Sequence, residues 1–200
     1  MSTLSEGCAH KVKESRGFPQ LETDRLVLRE MTLADAEFYF RHFNDEKVVL
    51  GSGFPGPETL EAAEKELELY CIRPFKVAKG IRWGIMRKGS SGLIGSCGFY
   101  GWSKTSRRAE VGYDLDPAHW GKGLMREALR AALRYGFEVM ALNRIQAIID
   151  CENVRSIRLA QRLGFQQEGV LRQNSVFRGE FRDEACFSLL REERMNAGIP

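Results

Sequence analysis

His119-Trp120-Gly121-Lys122-Gly123-Leu124-Met125-Arg126-Glu127-Ala128-Leu129 is the stretch on which the reading of this chain turns. Upstream, Arg108 to Pro117 alternates apolar and polar residues, as a half-buried strand does. Downstream, Leu124, Ala128, Leu129, Ala132, Leu133, Gly136 and Met140 recur at helical spacing. The segment predicts a strand, a glycine turn and a helix in direct succession. Gly121 and Gly123 remove side chains where an anion has to approach the backbone, and the first amides of a helix have no intrahelical partner. With the positive end of the helix dipole, those amides form an anion site suited to a pyrophosphate.

Two nucleotide patterns compete for this turn. The phosphate loop GxxxxGK[ST] fails, because Lys122 is followed by glycine and no Ser or Thr is present for a metal. A dinucleotide fingerprint nearly forms, with Gly121-x-Gly123, a helix, and the strand Arg144–Asp150 ending in an acid. Its third glycine is Arg126, however, and the preceding sequence reads as a hairpin rather than repeated βαβ units. The Rossmann reading therefore stands second.

A second constellation, Cys151-Glu152-Asn153-Val154-Arg155-Ser156 through Leu163-Gly164-Phe165, follows the Arg144–Asp150 strand. With it in place, the chain resembles the GNAT superfamily of acyl-CoA-dependent N-acetyltransferases. Gly121 to Arg126 matches that family's pyrophosphate loop, usually [QR]xxGx[GA], and Asn153-x-x-Ser156 through Phe165 matches its second signature. The stretches Leu21–Glu37 and Arg178–Glu193 make it look like the RimJ/RimL-type branch, over residues 21–194. Trp120 and Met125 depart from the usual loop, at positions that contribute mainly backbone N–H groups. The resemblance implies an α/β (α+β) GNAT fold: a mixed, mostly antiparallel sheet of about seven strands, flanked by about four helices. Its central strands splay, and the gap admits a pantetheine arm.

The implied activity is acetyl transfer from acetyl-CoA to a primary amine by direct attack in a ternary complex, with no metal. A protein N-terminal α-amine is one acceptor. The alternatives are a small amine (polyamine, amino acid or antibiotic) or a non-catalytic acyl-CoA-binding module. The expected cofactor contacts are Gly121, Lys122, Gly123, Leu124, Met125 and Arg126, the backbone edge of Tyr113, Asp114 and Leu115, and Asn153. Asn153 also reads as the N-cap of the helix that follows. An N–H near Leu115 would polarise the carbonyl. Ser156 is the candidate acid beside the thiol, or a plain helix serine, while the tyrosine many family members carry one turn on is Ala160. The glutamate of the fifth strand is replaced by Ile148, which leaves Glu110, acting through water, as the candidate base or a solvated strand residue. Glu110, Gly112 and Asp114 share a strand face, and Gly112 reads as leaving room for a substrate. Arg126, Arg130, Arg158 and Arg162 are candidates for the 3′-phosphate of CoA. The acceptor is expected between Gly51–Pro57 and the Arg178–Gly179 hairpin, walled by Tyr100 and Trp102.

Composition excludes other classes. A 200-residue chain with 43% hydrophobic and 28% charged residues suits one soluble domain. A formal charge of +3, with Lys and Arg spread among acids, argues against nucleic acid. Five cysteines without CxxC, and three scattered histidines, give neither a disulfide framework nor a zinc site. Cys97, Cys151 and Cys186 read as small buried hydrophobes. No apolar run spans a membrane and no signal peptide is evident, so the expectation is a cytoplasmic monomer or homodimer.

Along the chain, residues 1–20 read as a mobile extension and 195–200 as a tail. Leu21–Glu30 reads as one strand, followed by a helix capped at Thr32 or Asp35. Gly51–Pro57 reads as a loop, and Glu58–Ile72 as a helix closed by Pro74. Hairpins are expected at Ile81–Arg87 with Leu93–Trp102, and at Gln166–Arg178 with Phe181–Glu192.

Overall fold

The alternating segment at Arg108–Leu115 is the fifth strand of an eight-stranded sheet in a computed structural model that describes residues 17–196 and 198. In chain order the strands are β1 (Leu21–Glu22), β2 (Leu26–Glu30), β3 (Ile81–Arg87), β4 (Leu93–Ser103), β5 (Arg108–Leu115), β6 (Arg144–Asp150), β7 (Gln166–Phe177) and β8 (Glu180–Leu190). The helices are α1 (Ala36–Phe43), α2 (Glu46–Ser52), α3 (Leu60–Leu67), α4 (Arg73–Lys76), α5 (Leu124–Glu138) and α6 (Val154–Arg162). The sheet order is β1-β2-β3-β4-β5-β6-β8-β7, and only β5 and β6 run parallel. Their pairing covers Arg108↔Arg144, Ala109↔Ile145 and Glu110↔Gln146, then stops. Beyond it the two strands part.

The segment read as one first strand is two. Thr23 turns the chain, its N–H bonding to Leu26 O at 3.0 Å, and the turn is held from α5. Glu127 accepts from Thr23 Oγ1 at 2.6 Å, from Arg25 N at 2.9 Å and from Arg25 Nε at 2.6 Å. The first hairpin is thereby tied to the first turn of the helix that follows the glycines.

Helix boundaries also shift. Asp45 accepts from Lys47 N at 2.9 Å and starts α2, so Gly51 and Ser52 are helical, and Gly53 at φ +73° ends the helix. Pro74 does not close the third helix. After one π turn at Glu68–Ile72 it sits in the first turn of α4, where a missing N–H costs nothing.

The apolar faces fill two layers. Beneath one face, α5 and α6 pack on Trp83, Phe99, Ala109, Val111, Leu115, Ile145 and Phe187. Gly136 lets α5 come close, since a Cβ there would lie 2.9 Å from the Phe99 ring. On the other face, Ala36, Tyr39, Ala63, Leu67 and Cys71 pack on Met31 and Leu93. That second layer leaves Glu110, Gln146, Ile148, Asp150, Glu184 and Cys186 half-exposed. The chain is already packed before Leu21: the Phe18 ring lies 4.9 Å from Phe75, and Trp83 Nε1 donates to Pro19 O at 2.7 Å. The rest of the expected extension, residues 1–16 with Cys8 and His10, lies outside the described residues.

Glu127→Ala removes these bonds to Thr23 and Arg25 at once. It should lower stability by about 1–3 kcal/mol, read as a reduced denaturant midpoint with an unchanged slope.

Candidate active site

The glycine turn and the fork between β5 and β6 meet at the end of β5. Asp116 N donates to Ile94 O at 2.8 Å, which sets the alternation along the β4–β5 pair. Even-numbered residues direct their main chain at β4, while Val111, Tyr113 and Leu115 direct theirs into the fork. The Leu115 carbonyl is taken there by Trp120 Nε1 at 2.7 Å. Of the three residues read as a free edge, Tyr113 and Leu115 therefore face the fork. Asp114 does not, because alternation turns its peptide groups to β4 and its side chain into the protein. A small apolar crevice lies under the fork, lined by Val111, Tyr113, Leu129, Leu133, Ala147, Ala160, Leu163 and Phe165.

Gly121 and Gly123 both adopt the left-handed region, at φ +73° and +72°. A Cβ on Gly121 would meet nothing within 4 Å, so packing does not require glycine there. Gly123 is the N-cap of α5 and offers no side-chain acceptor to the amides that follow. Leu124 and Met125 bury their side chains at 3% and 7% exposure, which leaves only their amides for a ligand. Lys122 folds its ammonium back onto Ala118 O at 2.8 Å, while its carbonyl accepts from Arg25 Nη1 at 3.1 Å. Arg126 is exposed on the first turn. Besides Arg25, Arg155 comes to the turn, stacked 3.9 Å over the Trp120 ring from the start of α6. A spacing of thirty-odd residues gave no signal for that pair.

Asn153 uses both ends of its amide. Oδ1 accepts from Ser156 N at 3.1 Å, capping α6, and Nδ2 donates to Gly51 O at 2.7 Å, tying α6 to α2. Ser156 stands one turn in, and the Tyr113 hydroxyl crosses from β5 to donate to its carbonyl at 3.3 Å. Burial pushes the Tyr113 phenol up to about 12, so it keeps its proton at neutral pH.

On the opposite face, Glu110 is held at both oxygens. The Tyr100 hydroxyl donates to Oε1, and Gln146 Nε2 donates to Oε2 at 3.0 Å. Burial, together with Glu110, raises the Tyr100 phenol and keeps it a donor. Tyr100 was expected only as a wall and Gln146 not at all, because cross-strand register is not written in local sequence. The room over Gly112 is filled by the chain itself: a Cβ there would lie 3.0 Å from the Tyr100 ring and 3.4 Å from Arg82 Nη1. Trp102 packs against the main core instead of lining this face. At the rim, Arg178 of the β7–β8 turn grips Glu46 of α2 through two bonds, of 2.9 and 2.8 Å.

Asp114 lies among Arg82 Nη2, Ser96 Oγ at 2.6 Å and Ser96 N at 3.1 Å. His42 Nε2 approaches Oδ1 to 2.7 Å, off the line of a good hydrogen bond. Burial alone would raise this carboxyl; Arg82, His42 and Ser96 outweigh it and hold it at about 2. Of the three cysteines expected to be buried on strands only Cys97 is; Cys151, in the turn after β6, and Cys186 on β8 are half-exposed. Among the described residues no cluster of His, Cys, Asp and Glu is placed to hold a metal ion, and no helix is long and apolar enough to cross a membrane.

Known proteins share this fold. Residues 25–166 match the family model described as acetyltransferase (GNAT) domain. The chain is 38% identical over 174 residues to the uncharacterized N-acetyltransferase YoaA of Bacillus subtilis, covering 87% of this chain and 98% of that one. It is 31% identical over 185 residues to the ribosomal protein uS5-alanine N-acetyltransferase of Escherichia coli, covering 85% and 90%. Spermidine N-acetyltransferase of Vibrio cholerae, solved with CoA and spermine, shares the fold with a TM-score of 0.77 at 22% identity, covering 87% and 100%.

The Asp114 carboxyl supplies a pH test of the buried cluster. Its folded pKa lies below its unfolded value, so its stabilisation is complete above about pH 4 and is lost as pH falls toward 2. Urea melts of the parent and Asp114→Asn should therefore converge by about 2 kcal/mol between pH 5 and pH 2.5.

Proposed function

The chain belongs to the GNAT acetyltransferase family, and from that premise we propose that it moves the acetyl group of acetyl-CoA to the α-amine of a protein N-terminus. It is an N-acetyltransferase, and its acetyl donor is acetyl-CoA. The carrying observation is the fork, whose outward main-chain groups lead straight to an uncapped glycine turn. The amides of Gly121 to Arg126 receive the pyrophosphate, and the edge of Tyr113 and Leu115 pairs with the pantetheine amides as an added strand would. Asn153 and Ser156 flank the arm from α6.

Attack of the amine on the thioester builds negative charge on the carbonyl oxygen, and the Leu115 N–H stabilises it. The Ser156 hydroxyl donates to the departing thiolate. Glu110 takes the ammonium proton through water. The amine must be neutral to attack, and this favours an α-amine as the acceptor. With a pKa near ~8, roughly a tenth of that amine is neutral at pH 7, whereas a lysine near ~10.4 needs a stronger base. The RimJ/RimL-type reading draws support from the E. coli uS5-alanine enzyme, which is similar along most of this chain. Thiol release from acetyl-CoA with peptides bearing free N-terminal Ala or Ser, against spermidine and free amino acids, tests the acceptor. Turnover of spermidine alone would replace the α-amine reading, and no turnover with any amine would leave a binding module.

Gly123→Val should abolish acetyl-CoA binding in calorimetric titration. A branched side chain is strained at φ +72° and occupies the approach of the pyrophosphate. Undiminished affinity would make the turn purely structural.

Glu110→Gln should slow turnover most at low pH and recover toward the parent as pH nears the amine's own pKa. Ser156→Ala should lower kcat by about 100-fold with little change in acetyl-CoA affinity, since its bond strengthens only as the thiolate develops. Steady-state kinetics from pH 6 to 9 read both.

A further inference from the structure

Past Glu110, β5 has hydrogen-bonding neighbours on one side only, so its last residues need another restraint. Asp114 provides it. Its carboxylate is gripped from three elements: Arg82 on β3, Ser96 on β4 and His42 on α1, whose side chain is 1% exposed. Arg82 Nε also donates to Ser96 Oγ at 2.9 Å, which closes the group. Tyr39 and the Cys71 thiol face the same group, and burial raises both, so they remain neutral there.

A buried ion group of this kind is a weak source of stability, because desolvation offsets most of the attraction and apolar replacements are often neutral or better. Its position suggests another use. The carbonyl of Asp114 and the N–H of Leu115 belong to one planar peptide group. Anchoring Asp114 therefore sets the direction of the Leu115 N–H in the fork. His42 adds the helix layer of the acceptor side to the same anchor.

We propose that Asp114, clamped by Arg82, Ser96 and His42, is a positioning residue that aims the Leu115 N–H at the carbonyl oxygen of the bound thioester. The proposal rests on the acetyl-transfer reading above. A hydrogen bond to a developing oxyanion depends steeply on angle, so a peptide plane free to rock would lose much of it.

The test is isotope-edited infrared spectroscopy of acetyl-CoA labelled with carbon-13 at the carbonyl, bound without acceptor. In the parent the carbonyl stretch should fall below that of free acetyl-CoA. Asp114→Asn should lose about half of that shift or more, since the donor is misdirected. Affinity for acetyl-CoA should stay within about threefold and kcat should drop about tenfold or more, because the bond is worth most in the transition state. Ser96→Ala, a milder change, should fall between and serves if the Asn variant does not fold. A folded Asp114→Asn or Ser96→Ala protein with the parent's carbonyl shift and kcat would overturn the proposal. So would a parent that binds acetyl-CoA without any shift. A parent that does not bind acetyl-CoA would overturn the acetyl-transfer reading, and the clamp with it.

Discussion

Three register pairs hold β5 to β6, and everything distinctive about this molecule follows from the pairing stopping there. A sheet that opens in its middle exposes main-chain groups that would otherwise be satisfied, and unpaired buried amides are costly. The fold accommodates this in two ways. One outward carbonyl, Leu115 O, is capped by the Trp120 indole. The others face the slot between the parted strands.

Holding the fork open requires braces on both sides. The glycine turn at its upper end cannot brace itself, because glycines contribute no side chains and Gly123 leaves the helix uncapped. Glu127 does so from inside α5, fastening the helix to the Thr23–Arg25 turn. On the β6 side, Asn153 ties α6 to α2, and Arg155 reaches back to Trp120. On the β5 side the buried Asp114 carboxylate does the holding. These contacts join segments far apart in sequence, so the donor slot is a property of the whole fold rather than of the loop that names it.

The two faces of the fork are chemically unlike. Toward α5 and α6 the surroundings are apolar, with the Tyr113 hydroxyl crossing to Ser156 O. Toward α1 and α2 a polar row runs from His42 through Asp114 and Arg82 to Tyr100, Glu110 and Gln146, and Gly112 makes room for its middle members. Such an arrangement separates an apolar side of the fork from a polar one. It also means that Tyr100 and Gln146 fix the orientation of Glu110.

By itself, the sequence determined the elements and the chemistry of the loop. The alternation through Arg108–Leu115, the two glycines and the helical spacing of Leu124–Met140 marked the strand, turn and helix, because periodicity and positive φ are local properties. The same holds for Asn153 as a cap, where one side chain meets an amide three residues on. Tertiary structure decided the rest. It split Leu21–Glu30 because Glu127, about a hundred residues away, holds the turn. It turned Asp114 inward, filled the space over Gly112 with Tyr100 and Arg82, and laid Arg155 over the Trp120 ring. Register and packing between distant segments set these outcomes, and a one-residue change of register would have placed the strand residues Arg82, Tyr100 and Asp114 on the other face.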